Sequence, residues 1–273
     1  MNSKQKLDSS KYCHLKDKDI NKVYLGDCLE IMPSIPDKSI DMVLCDLPYG
    51  TTACEWDTII PFEPLWKEYK RIIKDNGAIV LTASQPFTSL LVMSNLDMFR
   101  YCWYWVKTRP TGFANSKIQP MRNIEEVAIF YNKVKYHPQN LIRINKISRN
   151  SRSSGGDSLR GDVVASRGKG SLRTQGKEFL SEFTNYPRQT IELSADNIKL
   201  HPTQKPVALF EYLIKTYTND GDLILDNCAG SGTTGVACKN LKRDYILIEK
   251  EPKYYDIILK RLSETQPRLL DKG

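Results

Sequence analysis

The 273-residue sequence has no long apolar run and no internal repeat. No segment approaches the roughly 20 apolar residues that span a bilayer. The N-terminal stretch MNSKQKLDSSKYCHLKDKDINK is polar throughout and has no apolar core of the kind that a signal peptide needs. From these absences we expect a soluble, cytoplasmic protein that is not exported.

Cysteine is present, but it lacks the spacing that disulfide frameworks and metal sites require. The seven cysteines are odd in number, are scattered along the chain and form neither CxxC nor Cys/His patterns. A chain of this length can bury a full core without disulfides. We therefore expect reduced thiols and no metal site.

Positive charge is in excess and is concentrated in one segment. The formal net charge is +8, which favours polyanionic partners because nucleic-acid binding draws most of its affinity from Lys and Arg. Residues 143–199 contain eleven Lys or Arg against six Asp or Glu, a net +5. This segment is rich in Arg, Ser and Gly, which is typical of a flexible linker or of an insertion that folds against a charged partner.

Strand-like and helix-like runs alternate along the chain, which predicts a parallel sheet covered on both faces. The predicted strands are KVYL, DMVLC, AIVLTAS, LILD and YILIE. The segment EPLWKEYKRIIKDNG has the apolar spacing of a helix, with Gly77 as its expected end. YCWYWVK and EEVAIFYNK have no helix between them, so we expect an antiparallel pair across the loop that joins them.

A glycine-rich turn follows the predicted strand LILD. Gly230, Gly232 and Gly235 have GxGxxG spacing, and Glu249 ends the next strand. Glycines let the backbone approach a ligand closely, and an acid at the second strand end can accept both hydroxyls of a ribose. The pattern predicts an adenosine-containing ligand, either a dinucleotide or S-adenosylmethionine. The alternatives are a purely structural turn and, for Glu249, an acid favoured by the dipole of the following helix.

The stretch DMVLCDLPYG places Asp46, Leu47, Pro48 and Tyr49 after a buried strand. A carboxylate and a rigid main-chain carbonyl that accept both N–H bonds of a nucleobase amine would draw its nitrogen towards tetrahedral geometry. Tyr49 would stack on the base, which has to leave the duplex to reach such a site. The alternative is a capping acid, a proline turn and a core tyrosine.

DLPYG resembles the (D/N/S)PP(Y/F) motif of amino-methyltransferases, DNCAGSGTT resembles their S-adenosylmethionine motif, and HPTQKP is similar to the segment that precedes it. The order of these motifs is that of the β group of DNA N6-adenine/N4-cytosine methyltransferases. The resemblance covers residues 22–133 and 200–262. It departs from the family pattern at Leu47, where a first proline is usual, which makes the loop less rigid and leaves the rate in doubt.

The resemblance implies an α/β, Rossmann-like methyltransferase fold that is circularly permuted, with a mostly parallel seven-stranded sheet, an antiparallel hairpin and an inserted target-recognition region. The implied organisation is a tail (1–21), a catalytic part (22–142), the basic insert (143–199), a cofactor-binding part (200–264) and a second tail (265–273). The cofactor would be S-adenosylmethionine. The residues implied to hold it are Asp27, Asp46, Thr203, Lys205, Asp226, Ala229, Gly230, Gly232, Thr233 and Glu249.

Within that set, Asp226, Ala229, Gly230 and Gly232 would hold the methionine part and Glu249 the ribose. Asp27 would bind the adenine, although DCLE is equally a helix capping box. Thr203 and Lys205 would reach the cofactor carboxylate near the helix that begins at Pro206.

The implied partner is double-stranded DNA, bound by the chain as a monomer or homodimer, and a cognate restriction endonuclease is the partner protein that the resemblance allows for. Candidate DNA contacts are Arg109, Lys117, Arg122, Arg149, Arg152, Arg160, Arg167, Lys169 and Arg173. The aspartate of DLPYG favours adenine N6 as the target. N4-cytosine methylation and an inactive DNA-binding protein that keeps the fold remain the alternatives. An oxidoreductase would leave DLPYG unexplained, and RNA or protein methyltransferases usually have the opposite motif order.

Overall fold

The computed structural model describes residues 20–51, 57–149, 178–194, 196, 200 and 204–266. The chain divides into two compact units. Residues 138–187 form the smaller unit, and the remaining residues form the larger one. The strands are β1 (Lys22–Leu25), β2 (Ile40–Asp46), β3 (Ile73–Ala83), β4 (Phe99–Thr111), β5 (Arg122–Phe130), β6 (Ile142–Arg149), β7 (Glu178–Thr184), β8 (Thr190–Leu193), β9 (Leu223–Asp226) and β10 (Asp244–Glu249). The helices are α1 (Cys28–Ile31), α2 (Phe62–Ile72), α3 (Phe87–Ser94), α4 (Val207–Tyr217), α5 (Thr233–Leu241) and α6 (Pro252–Glu264).

The larger unit is built on one sheet with the strand order β1-β10-β9-β2-β3-β5-β4-β8. The first five strands in this order run parallel to one another, and β5 runs antiparallel to β3 and to β4. Strands from the end of the chain therefore lie between strands from its beginning, as the permuted order of the motifs predicts. The expected antiparallel hairpin is β4 and β5.

Helices cover both faces of this sheet. Side chains of β2 alternate between the two faces, with Val43 and Cys45 on one and Met42 and Leu44 on the other. Helices α1, α2 and α3 pack on the first face, and α4, α5 and α6 pack on the second. Full burial on both faces explains the continuous apolar runs in the central strands.

The sheet has one strand more than the seven expected. The additional strand is β8, which pairs in parallel with β4 at the sheet edge. Only Ile191 of its four residues is buried. A four-residue edge strand with one buried side chain is too short to give a clear periodic signal, and the sequence pattern therefore missed it.

The prediction that helix α2 ends at Gly77 is wrong. The helix ends at Ile72, and Gly77 lies inside β3. A Cβ atom on Gly77 would be 2.7 Å from the Asp41 main-chain oxygen and 2.8 Å from the Ile73 side chain. The glycine is present because two backbones approach closely, and not because a helix stops there.

The smaller unit contains the antiparallel pair of β6 and β7. Within the described residues of the whole chain, no helix has both the length and the apolar character needed to cross a bilayer. The same residues contain no cluster of three or more His, Cys, Asp or Glu side chains placed to hold a metal ion.

Candidate active site

Four acidic residues lie at the carboxyl ends of four neighbouring parallel strands. Glu249 ends β10, Asp226 ends β9, Asp46 ends β2, and Asp27 comes two residues after β1. Because these strands are parallel and adjacent, their carboxyl ends meet along one edge of the sheet. Ligand sites of open α/β sheets form at this edge.

A single cavity opens at this edge and joins the two predicted motifs. The predicted site residues that line it are Asp27, Asp46, Leu47, Pro48, Tyr49, Lys205, Asp226, Ala229, Gly230, Thr233 and Glu249. Two of the predicted cofactor-binding residues are not in this group. Gly232 packs against helix α6, and Thr203 lies outside the described residues. The proline-containing loop and the glycine-rich turn therefore share one space.

The glycine-rich turn passes directly from β9 into α5. Gly230 and Gly232 have φ angles of 53° and 78°, in the left-handed region that favours glycine. A Cβ atom on Gly232 would be 3.0 Å from the Ile258 side chain. The third glycine, Gly235, allows close packing of α5 on Leu247 of β10. The turn is held against both the sheet and helix α6.

Glu249 fastens this turn to the start of α6. Its carboxylate accepts hydrogen bonds from the backbone N–H groups of Gly230 (2.7 Å) and Glu251 (2.9 Å). Burial raises the pKa of Glu249, and the hydrogen bonds from these N–H groups oppose that shift. The residue therefore has the position near a helix start that the sequence allowed, and it also faces the cavity.

Asp226 is buried beneath the turn. Its carboxylate accepts hydrogen bonds from the Thr234 hydroxyl and from the Cys228 N–H, the latter at 3.1 Å. Burial raises the pKa of Asp226 to about 7, and these two hydrogen bonds oppose the shift. The group therefore titrates close to neutral pH, which is unusual for an aspartate.

Asp27 has both of the features that its sequence allowed. Its side chain caps helix α1 by accepting a hydrogen bond from the Leu29 N–H at 2.9 Å. The same carboxylate lines the cavity, and its second oxygen is 3.7 Å from the Lys250 ammonium. Capping and ligand contact are therefore compatible at this position.

The Asp46 carboxylate is surrounded by donors. Lys205 Nζ lies 2.8 Å from Oδ1 and 2.7 Å from Oδ2. The Tyr49 hydroxyl donates to Oδ1 at 2.7 Å, and the Thr82 hydroxyl also donates to Oδ1. Within the described residues, Oδ2 accepts one bond, from Lys205, so that a second hydrogen bond can still be accepted there.

The loop after Asp46 is fixed by packing as well as by proline. The Leu47 side chain is buried in the core, where the usual proline would be smaller. The Tyr49 ring stacks on Phe87, with centroids 5.1 Å apart. Burial, and then the charges of Asp46 and Glu125, raise the pKa of Tyr49 well above its ordinary value, so its hydroxyl remains a donor.

Lys205 lies two residues before α4, and its side chain extends into a buried network of charges. Its ammonium lies 3.5 Å from Glu125 Oε2 in addition to its contacts with Asp46. The other oxygen of Glu125 pairs with Lys107. Burial disfavours the charged form of Lys205, but the two carboxylates raise its pKa above the usual value. Positive and negative groups alternate from Lys107 to Asp46 across the sheet edge.

Three functional side chains were not predicted from the sequence. The carboxylate of Asp57 accepts the N–H groups of Gly50 and Thr51, each at 2.9 Å, and so holds the end of the DLPYG loop. The guanidinium of Arg261 donates to the Ser231 carbonyl at 3.0 Å and so fixes the glycine-rich turn. The third side chain, Glu125, contacts Lys205 and so belongs to the same charge network as Asp46. Only the acid-rich opening of EEVAIFYNK hinted at Glu125, and no local pattern marks the other two.

Cys45 precedes Asp46 in the sequence but is a core residue. Its side chain is fully buried in β2. Burial raises the pKa of the thiol to about 12. Because a thiolate is needed for attack, Cys45 has no nucleophilic character at neutral pH.

The predicted DNA contacts differ in how much of each residue the structure describes. Arg109, Lys117 and Arg122 are exposed on the connection between β4 and β5 and on the strand residues beside it. The backbone of Arg149 lies in β6, and its side chain is outside the described part. The remaining contacts lie outside the described residues: Arg152, Arg160, Arg167, Lys169 and Arg173.

Comparison with known families decides the class of this site. The sequence profile of the N6/N4 methyltransferases, described as DNA methylase, matches residues 40–260. The chain belongs to the DNA methylase family. The methylase is 29% identical over 284 residues to the Type II methyltransferase M.HinfI of Haemophilus influenzae, covering 91% of this chain and 70% of that protein. It is 29% identical over 287 residues to M2.MboI of Moraxella bovis, covering 94% and 93%.

Solved structures agree on the fold of this methylase. The M1.HpyAVI–SAM complex aligns with a TM-score of 0.58 and 24% identity, covering 88% of this chain and 99% of that one. The cytosine-N4-specific PvuII DNA methyltransferase aligns with a TM-score of 0.61 and 19% identity, covering 88% and 85%. The expected Rossmann-like methyltransferase fold is confirmed.

Proposed function

We propose that this DNA methylase transfers a methyl group from S-adenosylmethionine to N6 of an adenine that has been flipped out of double-stranded DNA. The observation that supports this most strongly is that Asp46 and the glycine-rich turn face one cavity. A methyl donor held by the turn and an amine held by Asp46 can therefore meet. The aspartate at this position favours adenine over cytosine, because serine is the more usual residue in N4-cytosine enzymes.

The cavity fits S-adenosylmethionine by its donor and acceptor set. Glu249 and Asp226 place carboxylates at two adjacent strand ends, beside a turn whose left-handed glycines let a ligand approach the backbone. When bound, the cofactor supplies an electrophilic methyl group on a positively charged sulfur. We assign Glu249 to the ribose hydroxyls, Asp226 to the methionine ammonium and Asp27 to the adenine. Thr203 and Lys205 keep their proposed role at the cofactor carboxylate, although the Lys205 ammonium contacts Asp46 in this structure.

Asp46 prepares the amine for reaction. Its Oδ2 would accept one N–H, and the main-chain carbonyl of Leu47 would accept the other. Two such acceptors localise the nitrogen lone pair, which the aromatic ring otherwise withdraws, and so raise its nucleophilicity. Lys205, Tyr49 and Thr82 hold the carboxylate in place through their donated bonds. An amine held in this way would attack the methyl group directly, without a covalent enzyme intermediate. The carbon–sulfur bond would break as the carbon–nitrogen bond forms, leaving the cofactor as a thioether, and the proton lost by the nitrogen would pass to Oδ2 of Asp46.

The proposed test is nucleoside analysis of DNA incubated with the protein and cofactor. N6-methyladenine is the expected product. N4-methylcytosine would establish the alternative target, and methylation-sensitive sequencing of the same DNA would give the recognition sequence. An inactive DNA-binding protein would yield neither product, and a cofactor titration would then show whether the cavity still binds S-adenosylmethionine. A cognate restriction endonuclease remains a proposal that the Type II names of the relatives support.

Cofactor affinity is expected to depend on pH through Asp226. Because its pKa is about 7, the folded protein binds a proton there below neutral pH. A cationic ammonium prefers the ionised carboxylate, so the proton has to leave when the cofactor binds. Affinity should therefore be about tenfold weaker at pH 6 than at pH 8, since each pH unit below the pKa costs about a factor of ten.

Isothermal titration across this pH range would measure the effect. Asp226→Asn should bind more weakly at pH 8 and should lose the difference between the two pH values. Any dependence that persists in this variant belongs to the ligand. An unchanged slope in the variant would show that Asp226 is not the titrating group.

A further inference from the structure

The connection between β4 and β5 combines basic charge with unusually exposed apolar side chains. We call residues 107–124 the arm. The arm contains Lys107, Arg109, Lys117 and Arg122 and no acidic residue. Ile118 is 83% exposed and Phe113 is 78% exposed, more than any other large apolar side chain in the described residues. Exposed apolar groups of this size inside a basic segment indicate a binding function.

The arm extends from the catalytic edge of the sheet. At its base Lys107 pairs with Glu125, which lies next to Lys205 and thus close to Asp46. Strand β5 starts three residues before Glu125, so its beginning at Arg122 lies about 10 Å further along the strand. Phe113 and Ile118 lie beyond that point, between the ends of the two strands.

The tip of the arm is ordered by its own backbone. Gly112 has a φ angle of 90°, and residues Phe113–Asn115 form one turn of 3-10 helix. The Asn115 carbonyl accepts the N–H groups of Ile118 and Gln119, both at 3.0 Å. Such a tip presents its apolar side chains at little additional entropic cost on binding.

We propose that the Phe113 ring, together with Ile118, enters the duplex at the position that the flipped base leaves. The inference rests on the proposed function, because it requires a base in the site beside Asp46. Apolar side chains that insert between base steps are used by proteins that distort DNA, and an aromatic ring can replace the lost stacking. The exposed basic residues Arg109, Lys117 and Arg122 hold the phosphates on either side, and the ring keeps the opened duplex from closing.

The experiment uses the full-length protein and two duplexes that carry its recognition sequence. In one duplex the target base is paired, and in the other it faces an abasic position, so that it leaves the stack more easily. Phe113→Ala should lower kcat/KM at least about tenfold on the paired duplex and at most about threefold on the other. Phe113→Trp should retain most of the activity. Met93→Ala, which removes a 67% exposed side chain from α3, should change neither rate.

An equal loss on both duplexes, or no loss on the paired one, overturns the proposal. In a second measurement, 2-aminopurine replaces the target base, and its fluorescence rises when it leaves the stack. The rise should be smaller with Phe113→Ala than with the unsubstituted protein, and an equal rise overturns the proposal as well. Failure of the proposed function is distinct, because the unsubstituted protein would then form no N6-methyladenine in either duplex.

Discussion

Asp46→Ala is expected to lower the rate of methyl transfer by a factor of at least about 10² to 10³, with cofactor affinity changed only a few-fold. The estimate follows from the usual effect of removing one preorganised hydrogen-bonding group from a reacting centre. Asp46 ends β2, lines the cavity and is the group that would accept an amine N–H through Oδ2. Single-turnover transfer of labelled methyl groups to DNA, together with a cofactor titration, measures both quantities.

The control for this experiment follows from the neighbours of Asp46. Its removal takes one acidic partner away from the buried ammonium of Lys205, which keeps its contact with Glu125. Asp46→Ala combined with Lys205→Met removes the uncompensated charge, and comparing the melting temperatures of the double variant and Asp46→Ala shows how much of the effect of Asp46→Ala is a loss of stability. Asp46→Asn keeps an oxygen acceptor of the same size and should lose less activity than Asp46→Ala. Undiminished transfer by Asp46→Ala would refute the assigned role.

Lys205→Met is expected to cause the largest loss of stability of any single change in the site. Lys205 is 5% exposed, and it separates the carboxylates of Asp46 and Glu125. Removing one partner of a buried charge pair costs about 3–5 kcal/mol, because the other charge stays desolvated. At about 2–4 °C per kcal/mol for a chain of this size, the melting temperature should fall by at least about 6 °C.

Calorimetry or circular dichroism would measure this change. Lys67→Met removes an exposed lysine from α2 and should alter the free energy of unfolding by no more than about 0.5 kcal/mol. Glu125→Gln combined with Lys205→Met should recover part of the lost stability, because it removes one of the two unbalanced acids. If Lys205→Met and Lys67→Met have equal effects, the buried network does not stabilise the fold.

The strand order, the glycine-rich turn and the acids at the strand ends could be predicted, because each depends on a pattern that is local in the sequence. Strands β2, β9 and β10 are continuous apolar runs that end in an acid, and the glycines directly follow the end of β9. The permuted order of the motifs then fixes which strands are neighbours. The positions of Asp226, Glu249 and Asp46 in the sequence are therefore almost sufficient to predict where they lie in the site.

The rest of the site depends on contacts between distant parts of the chain. Lys205 and Asp46 are 159 residues apart in sequence, and nothing local to either residue marks their contact. Asp57 acts on backbone N–H groups, which every sequence contains. The prediction that Gly77 ends a helix failed for a related reason. The sequence alone does not distinguish a glycine that ends a helix from one that allows two backbones to approach closely.

The placement of β9 and β10 between β1 and β2 affects how the protein is made. During translation β2 is made about 180 residues before β9. The two strands pair through Met42 and Val43 of β2. Until then β2 lacks its partner on that side, and an unpaired apolar strand edge attracts other chains. The glycine-rich turn and Glu249, which we propose to hold the cofactor, are translated after β2, so a chain cut short before residue 223 lacks both β9 and β10 and with them that side of the cavity.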